Sequence, residues 1–244
     1  MDLAVADARI SGVHRSLATL PFSLLLCATL SSSGSGVASP SDLHTLLERM
    51  RTFYRDSPGL VADFKQVLES RALPRPQEER GVVSLKFPGR MRWEYDTPPG
   101  KLAVTDGKKA YLYLPEDKAV LVGSMQDLDA GAVTTKLLLG EVSLEADFAV
   151  EGMPSAGNAD IWTLKLTPRG KDFPYDSITL DVEASRGAIR RIRMLDPLGN
   201  RMEYRFERIR VDKNLSEKLF TYRIPRGVEI QTLGDHPPSA PASP

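Results

Sequence analysis

The sequence predicts a mainly β fold with helices, an incomplete, half-closed antiparallel β-barrel of about eleven strands with an α-helical lid over an apolar cavity. Three observations lead there. Most of the chain beyond residue 60 alternates apolar and polar residues with period two, in short runs joined by tight turns. Several of these runs are apolar on both faces, and a sheet of that kind must cover both. The alternation is interrupted by segments of helical character that can cover one of them.

The N-terminus reads as an export signal. Arg9, His14 and Arg15 precede the apolar run LATLPFSLLLCATL, whose length suits a signal-peptide core and which Pro21 interrupts. Small residues follow, and Gly36 and Ala38 stand at the −3 and −1 positions for cleavage after Ala38. Asp2 and Asp7 are unusual for such a leader and fit a start further downstream. The expected organisation is a cleaved signal over 1–38, one domain over 39–232 and a disordered Pro/Ser-rich tail over 233–244.

The elements follow in order. Ser41 is the expected N-cap of a helix whose Leu43, Leu46, Leu47, Met50, Phe53 and Tyr54 form one stripe, ended by Ser57-Pro58-Gly59. Strands are expected at 62–70, 80–87, 90–97, 101–106, 109–115 and 118–124. Asp106-Gly107 suits a two-residue hairpin turn, and Pro88-Gly89 and Pro98-Pro99-Gly100 are turns as well. Joins this short make an antiparallel meander. Residues 125–140 lack strict alternation and read as helical, with Gly140 as C-cap. Alternation resumes through Leu144, Ala146, Phe148 and Val150, then Trp162 to Leu166, Ile178 to Val182, 188–196 and 201–211. A helical turn near 214–219 and a segment around Val228 to Gln231 complete the chain's ordered part.

Composition excludes several function classes. Lys+Arg and Asp+Glu are both 32, and this zero balance argues against a nucleic-acid partner. The three histidines, His14, His44 and His236, all lie outside the β body, which argues against Ser-His-Asp chemistry and a His/Cys zinc site. The sequence offers no glycine-rich phosphate loop, no metal-ligand set and no cofactor motif. Carboxylate pairs such as Glu94 with Asp96, or Glu203 with Glu207, alternate with Arg92, Arg201 and Arg205 and read as a salt-bridged outer face. In RRIRM, Arg191 and Arg193 share one side of a strand, Ile192 and Met194 the other. Cys27 is the single cysteine. It reads as a small apolar residue of the leader, or as a lipidation site if Leu24-Leu25-Leu26 serves as a lipobox.

What remains is the apolar surplus. Val83, Leu85 and Phe87 oppose the mixed Val82, Ser84 and Lys86; Met91, Trp93 and Tyr95 oppose Arg92 and Glu94; Tyr111 and Tyr113 oppose Leu112 and Leu114. The faces expected to point inward are those of Val83, Leu85 and Phe87 and of Met91, Trp93 and Tyr95, joined by Phe64 and by Leu137 and Leu138 of the lid. An apolar site of this shape suits acyl chains.

These residues, in this order, resemble the periplasmic outer-membrane lipoprotein carrier family, LolA. The similarity covers nearly the whole chain beyond the leader. It includes Phe64 and Gln66 in F-x-Q; Gly81, Pro88, Arg92, Trp93 and Pro98; Asp106, Gly107, Lys108, Tyr113 and Pro115; LTPR at 166–169; and Phe220 with Pro225. The resemblance implies a periplasmic, non-catalytic, cofactor-free and monomeric carrier. Its partners would be acylated lipoproteins, an inner-membrane ABC exporter that hands them over, and an outer-membrane acceptor. One position departs: the family's lid-latching Arg before the Pro is Phe87 here, so Phe87 is expected to close the lid by apolar contact. Two other readings stay open, an outer-membrane-anchored acceptor of the same fold lipidated at Cys27, and a carrier or sensor of other lipids such as glycolipids.

Overall fold

In the computed structural model, residues 40–124, 132–140, 144–170 and 173–232 are described. The expected leader with Cys27, the C-terminal tail and the first half of the expected helical insert lie outside them. All described residues fall in one compact unit.

One sheet of twelve strands holds the molecule together. Strands β1 (Leu60–Glu69), β2 (Gln77–Lys86), β3 (Arg90–Thr97), β4 (Leu102–Asp106), β5 (Lys109–Leu114) and β6 (Ala119–Ser124) form the expected meander. A second meander runs through β7 (Phe148–Ser155), β8 (Asn158–Pro168), β9 (Ser177–Glu183), β10 (Ala188–Leu195) and β11 (Arg201–Val211). They join where β1 pairs antiparallel with β11. The twelfth strand, β12 (Glu229–Thr232), is the segment expected around Val228 to Gln231; it lies parallel to β6, at the opposite end of the strand order from β7. The sheet is open, with β7 and β12 as its edges.

Helix α1 (Pro40–Arg55) begins at Pro40, so Ser41 sits inside the first turn and is not the N-cap. A proline's fixed φ suits that first position, where its missing N–H costs nothing. Helix α2 (Ala132–Leu138) is the described part of the insert, and Gly140 closes it by donating its N–H to the Leu137 carbonyl at 3.2 Å. Residues Leu144–Asp147 form a short helix, α3, and not the start of a strand. Leu, Glu and Ala are strong helix formers, and two alternating apolar residues are too few to override them.

The pairing register sorts the side chains. Phe64 stands opposite Gly81 and Phe206, and Trp93 opposite Val83 and Ala103. These belong to the inner face, on which α1 and α2 lie. The expected charged face is on the other side: Asp181 takes both Arg191 at 3.5 Å and Arg193 at 2.7 Å, and Arg92 takes Glu94 at 2.9 Å. Ile192 and Met194 are buried opposite.

The second apolar face also has its cover. After β11 the chain turns back under β3 and β4, where a 3-10 turn, Glu217–Phe220, buries Phe220 together with Val104 and Val120. Lys86 Nζ donates to the Leu215 carbonyl at 2.9 Å, Arg92 to that of Leu219 at 3.2 Å, and Tyr222 packs on Tyr111 at 5.5 Å. Hydrogen bonding to Lys86, and the nearby Arg90 guanidinium, hold the Glu217 carboxyl below the usual range. The tyrosines of β5 thus face this strap and not the lid. Phe220→Ala is expected to cost about 3–5 kcal/mol, read from urea unfolding, with no change in ligand binding on the inner face.

Candidate functional site

The inner face carries an aromatic cluster at its centre. Phe64 meets Trp93 edge-on at 4.6 Å and Tyr95 at 5.1 Å, and Trp93 contacts Tyr204 at 5.6 Å and Phe206 at 6.1 Å. Each residue comes from an inward position of β1, β3 or β11. Edge-to-face contacts of this kind add to the large area such rings bury. Leu85 and Met91 extend the cluster toward the far end of β2 and β3.

Two helices close over it by different means. Helix α1 is pinned by polar contacts to the β9–β10 hairpin: the Tyr54 hydroxyl accepts from the Ile189 N–H at 2.9 Å, and the Arg49 guanidinium donates to the Ala184 carbonyl. Gly187 sits so close beneath that a Cβ there would lie 2.6 Å from the Arg49 backbone, and at φ 75° only glycine is at ease. Arg186 caps the Phe53 ring at 5.4 Å. Helix α2 is held by Leu137 and Leu138, with Leu139 just beyond, all buried. Among the described residues its Thr134 hydroxyl reaches the Met194 sulfur at 3.6 Å, a weak acceptor, and the Tyr204 phenol.

Among the described residues the expected cavity lining is closely packed, and a hollow of about 280 Å³ opens beside α1, lined by Leu43, Leu47, Phe148 and Val150. Between α1, α2 and the sheet, the gap lined by Leu60, Val83, Leu85 and Leu138 is about 10 Å³. A second, lined by Leu47, Met50, Leu137 and Ile189, is about 30 Å³. These hold at most a water or two, whereas ligand sites run to about 300–1,000 Å³. A hollow of about 550 Å³ exists on the opposite face, but Lys65, Glu78, Arg193, Glu203 and Arg205 line it, and such charged walls do not suit hydrocarbon. Leu137 and Leu138 of α2 are thus packed against the inner face.

Burial pushes the Tyr54, Tyr95 and Tyr204 phenols well above their ordinary value, with Tyr204 and Glu79 adding to the effect at Tyr95. A pKa raised by folding gives stability that is complete below the unfolded value of 10.0 and is lost as pH rises above it, because the unfolded chain releases those protons first. The urea midpoint is expected to hold to pH 9 and fall above pH 10, and Tyr54→Phe to flatten that fall.

The family model described as outer membrane lipoprotein carrier protein LolA matches residues 55–223. The chain belongs to the LolA family. The outer-membrane lipoprotein carrier protein of Pseudomonas aeruginosa is 30% identical over 200 residues, 81% of this chain and 92% of that protein. That of Chromohalobacter salexigens is 32% identical over 186 residues, 75% and 85% of the two chains. Among solved structures, an uncharacterized conserved protein from Thermus thermophilus superposes with a TM-score of 0.51 at 15% identity, over 78% of this chain and 98% of that one. It shares the fold.

The positions expected to carry the family motif fall into two groups. Arg92 holds the C-terminal strap, and Asp106 Oδ1 accepts the N–H groups of Lys108 and Lys109, each at 2.8 Å, in the turn where Gly107 stands. Gly81 lies where the β2–β3 register shifts, and a Cβ there would strike the Glu94 carbonyl at 1.8 Å. Pro88 lies in the turn before β3. These shape the scaffold, whereas Gln66 points to the inner face, opposite Glu79 and Tyr204.

Of the residues expected to line the cavity, Phe64, Val83, Leu85, Met91, Trp93, Leu137 and Leu138 are buried in one cluster, with Tyr95 packed against it. Phe87 is not among them. It is 37% exposed, because β2 ends at Lys86 and the alternation that aims Val83 and Leu85 inward stops there. It does not close the lid by burial in this cluster. The sequence reading passes over Tyr204 and Phe206, whose alternation in β11 is legible, over Glu79 and Lys101, which the strand pairing and the β3–β4 turn bring to this face, and over Thr134, which α2 brings there.

Proposed function

We propose that this chain is a periplasmic carrier of acylated lipoproteins, which takes their acyl chains from the inner membrane and gives them up at the outer membrane. The observation that carries this reading is the inner face, an aromatic and aliphatic wall against which the apolar sides of α1 and α2 are packed. Each methylene taken from water is worth about 0.8 kcal/mol, so acyl chains do not cross an aqueous space unshielded. Entering chains replace Leu137, Leu138 and their neighbours against the same wall. Apolar contacts are exchanged, not simply gained, so net affinity stays moderate and release to a better acceptor runs downhill. The names of the Pseudomonas and Chromohalobacter relatives support the cargo class.

Shielding and transfer need no bond making or breaking, and the chain acts here as a monomer without catalysis or cofactor. An ABC exporter on the inner membrane and an acceptor on the outer membrane are the partners this cycle requires. Helix α2, held by apolar contacts and by Thr134 against the Met194 sulfur and the Tyr204 phenol, is the part that moves, while α1 stays pinned through Tyr54 and Arg49.

The test is the cargo. Protein purified from the periplasm and analysed by native mass spectrometry is expected to carry acylated polypeptide; bound glycolipid alone would sink the lipoprotein reading. The intact mass of the unliganded chain reads the processing too. Cleavage after Ala38 is expected, whereas a lipid on Cys27 would make the protein an anchored acceptor.

A further inference from the structure

The inner face is apolar along most of its length but not at one end. Two residues along β1 from Phe64, about 7 Å at the rise of a strand, stands Gln66. Its neighbours across the sheet are Glu79 and Tyr204. Lys101 Nζ bonds both carboxylate oxygens of Glu79, at 2.6 and 2.9 Å, and lies 4.5 Å from the centre of the Tyr95 ring. Both members of this ion pair are about one-fifth exposed. Gln66 Oε1 is buried and has no hydrogen-bond partner among the described residues.

Such an arrangement is costly for a wall whose task is to bind hydrocarbon. Desolvating an ion pair offsets much of its attraction, and a buried acceptor without a donor is destabilising. Leucine at these positions would continue the apolar face. We propose that Gln66, the Glu79–Lys101 pair and the Tyr95 phenol form a subsite for the ester and amide groups that join the acyl chains to the head of the cargo. The proposal rests on the carrier reading above and adds to it the place of the polar junction. A cargo of this class has two parts, hydrocarbon and a short run of carbonyls and N–H groups. The wall has the same two parts in the same order. Gln66 Oε1 offers an acceptor to an amide N–H, while the Lys101 ammonium and the Tyr95 hydroxyl offer donors to ester carbonyls. The lid covers this end as well, since Thr134 of α2 meets Tyr204 beside it. The movement that clears the apolar wall thus uncovers the polar groups.

The test compares ligands that share chains and differ in head, using the intact, processed protein. The probes are diphenylhexatriene, which is hydrocarbon only, dipalmitoylglycerol, which adds esters, and a dipalmitoylglyceryl-cysteine peptide, which adds peptide amides. The variants are Gln66→Leu and the double change Glu79→Met with Lys101→Met, which removes the ion pair as a unit. Diphenylhexatriene binding at or above the wild-type level shows that each variant is folded with its inner face intact. The expected result is a loss of about tenfold in affinity for the lipopeptide, the size of one hydrogen bond. An equal loss with dipalmitoylglycerol assigns the subsite to the esters; a loss confined to the lipopeptide assigns it to the amides. Undiminished lipopeptide affinity in both variants, with diphenylhexatriene still bound, overturns the subsite and leaves the carrier reading standing. A wild-type protein that binds none of the three probes overturns both.

Discussion

Leu138→Ala is expected to weaken the fold and tighten ligand binding at the same time. Leu138 is buried between α2 and the wall of Leu60, Val83 and Leu85. Truncating a leucine so placed costs about 2–5 kcal/mol. In the proposed cycle α2 leaves the wall before an acyl chain enters, so that cost falls chiefly on the closed state. The competent fraction rises, and apparent affinity for diphenylhexatriene increases by about tenfold or more. Leu180→Ala is the control. Leu180 is fully buried on β9, in the sheet and not in the lid, so its loss is expected to lower stability by a similar amount without any gain in affinity. Urea unfolding and a fluorescence titration check both. A fall in affinity for Leu138→Ala would show that the lid leucines hold the ligand and do not compete with it.

Trp93→Asp is expected to abolish carrier function. The indole stands at the centre of the inner face, against Phe64, Tyr204 and Phe206. A carboxylate there would have no positive partner among these rings, and the cost of burying it is several kcal/mol unless it takes up a proton or the lid stands open to water. Either way the wall is no longer apolar. Stability is expected to drop by about 4 kcal/mol or more and acyl binding by more than about a hundredfold. Trp93→Phe keeps an edge-to-face contact with Phe64 and is expected to retain binding within about tenfold.

Much of this wall was legible in the sequence because strands alternate strictly. Once Trp93 is placed inward, Met91 and Tyr95 follow, and the Asp106-Gly107 turn fixes the next hairpin. Alternation fails where strands end, and so Phe87, in the turn after Lys86, was assigned to a face it does not share. It fails too in stretches as short as Leu144–Asp147, where helix-forming residues decide. Periodicity gives the polarity of a wall but not its contents, and a face packed with the lid's own leucines has the same pattern as an empty cavity. The polar end was illegible for another reason. Gln66, Glu79, Lys101 and Tyr204 are brought together by the β1–β2 and β1–β11 registers and by the turn from β3 to β4, and the long-range pairing among these has no local signal.

The most direct test is release of lipoprotein. Spheroplasts that retain their lipoproteins, from the native host or from one expressing its exporter, are incubated with the purified processed protein, and the medium is analysed for complexes. The expected result is lipoprotein in the supernatant bound to this protein, less of it with Trp93→Asp and more with Leu138→Ala at limiting protein. Supernatants free of lipoprotein, from spheroplasts whose exporter is shown to be active, would contradict the central claim that the lidded face carries lipoprotein acyl chains.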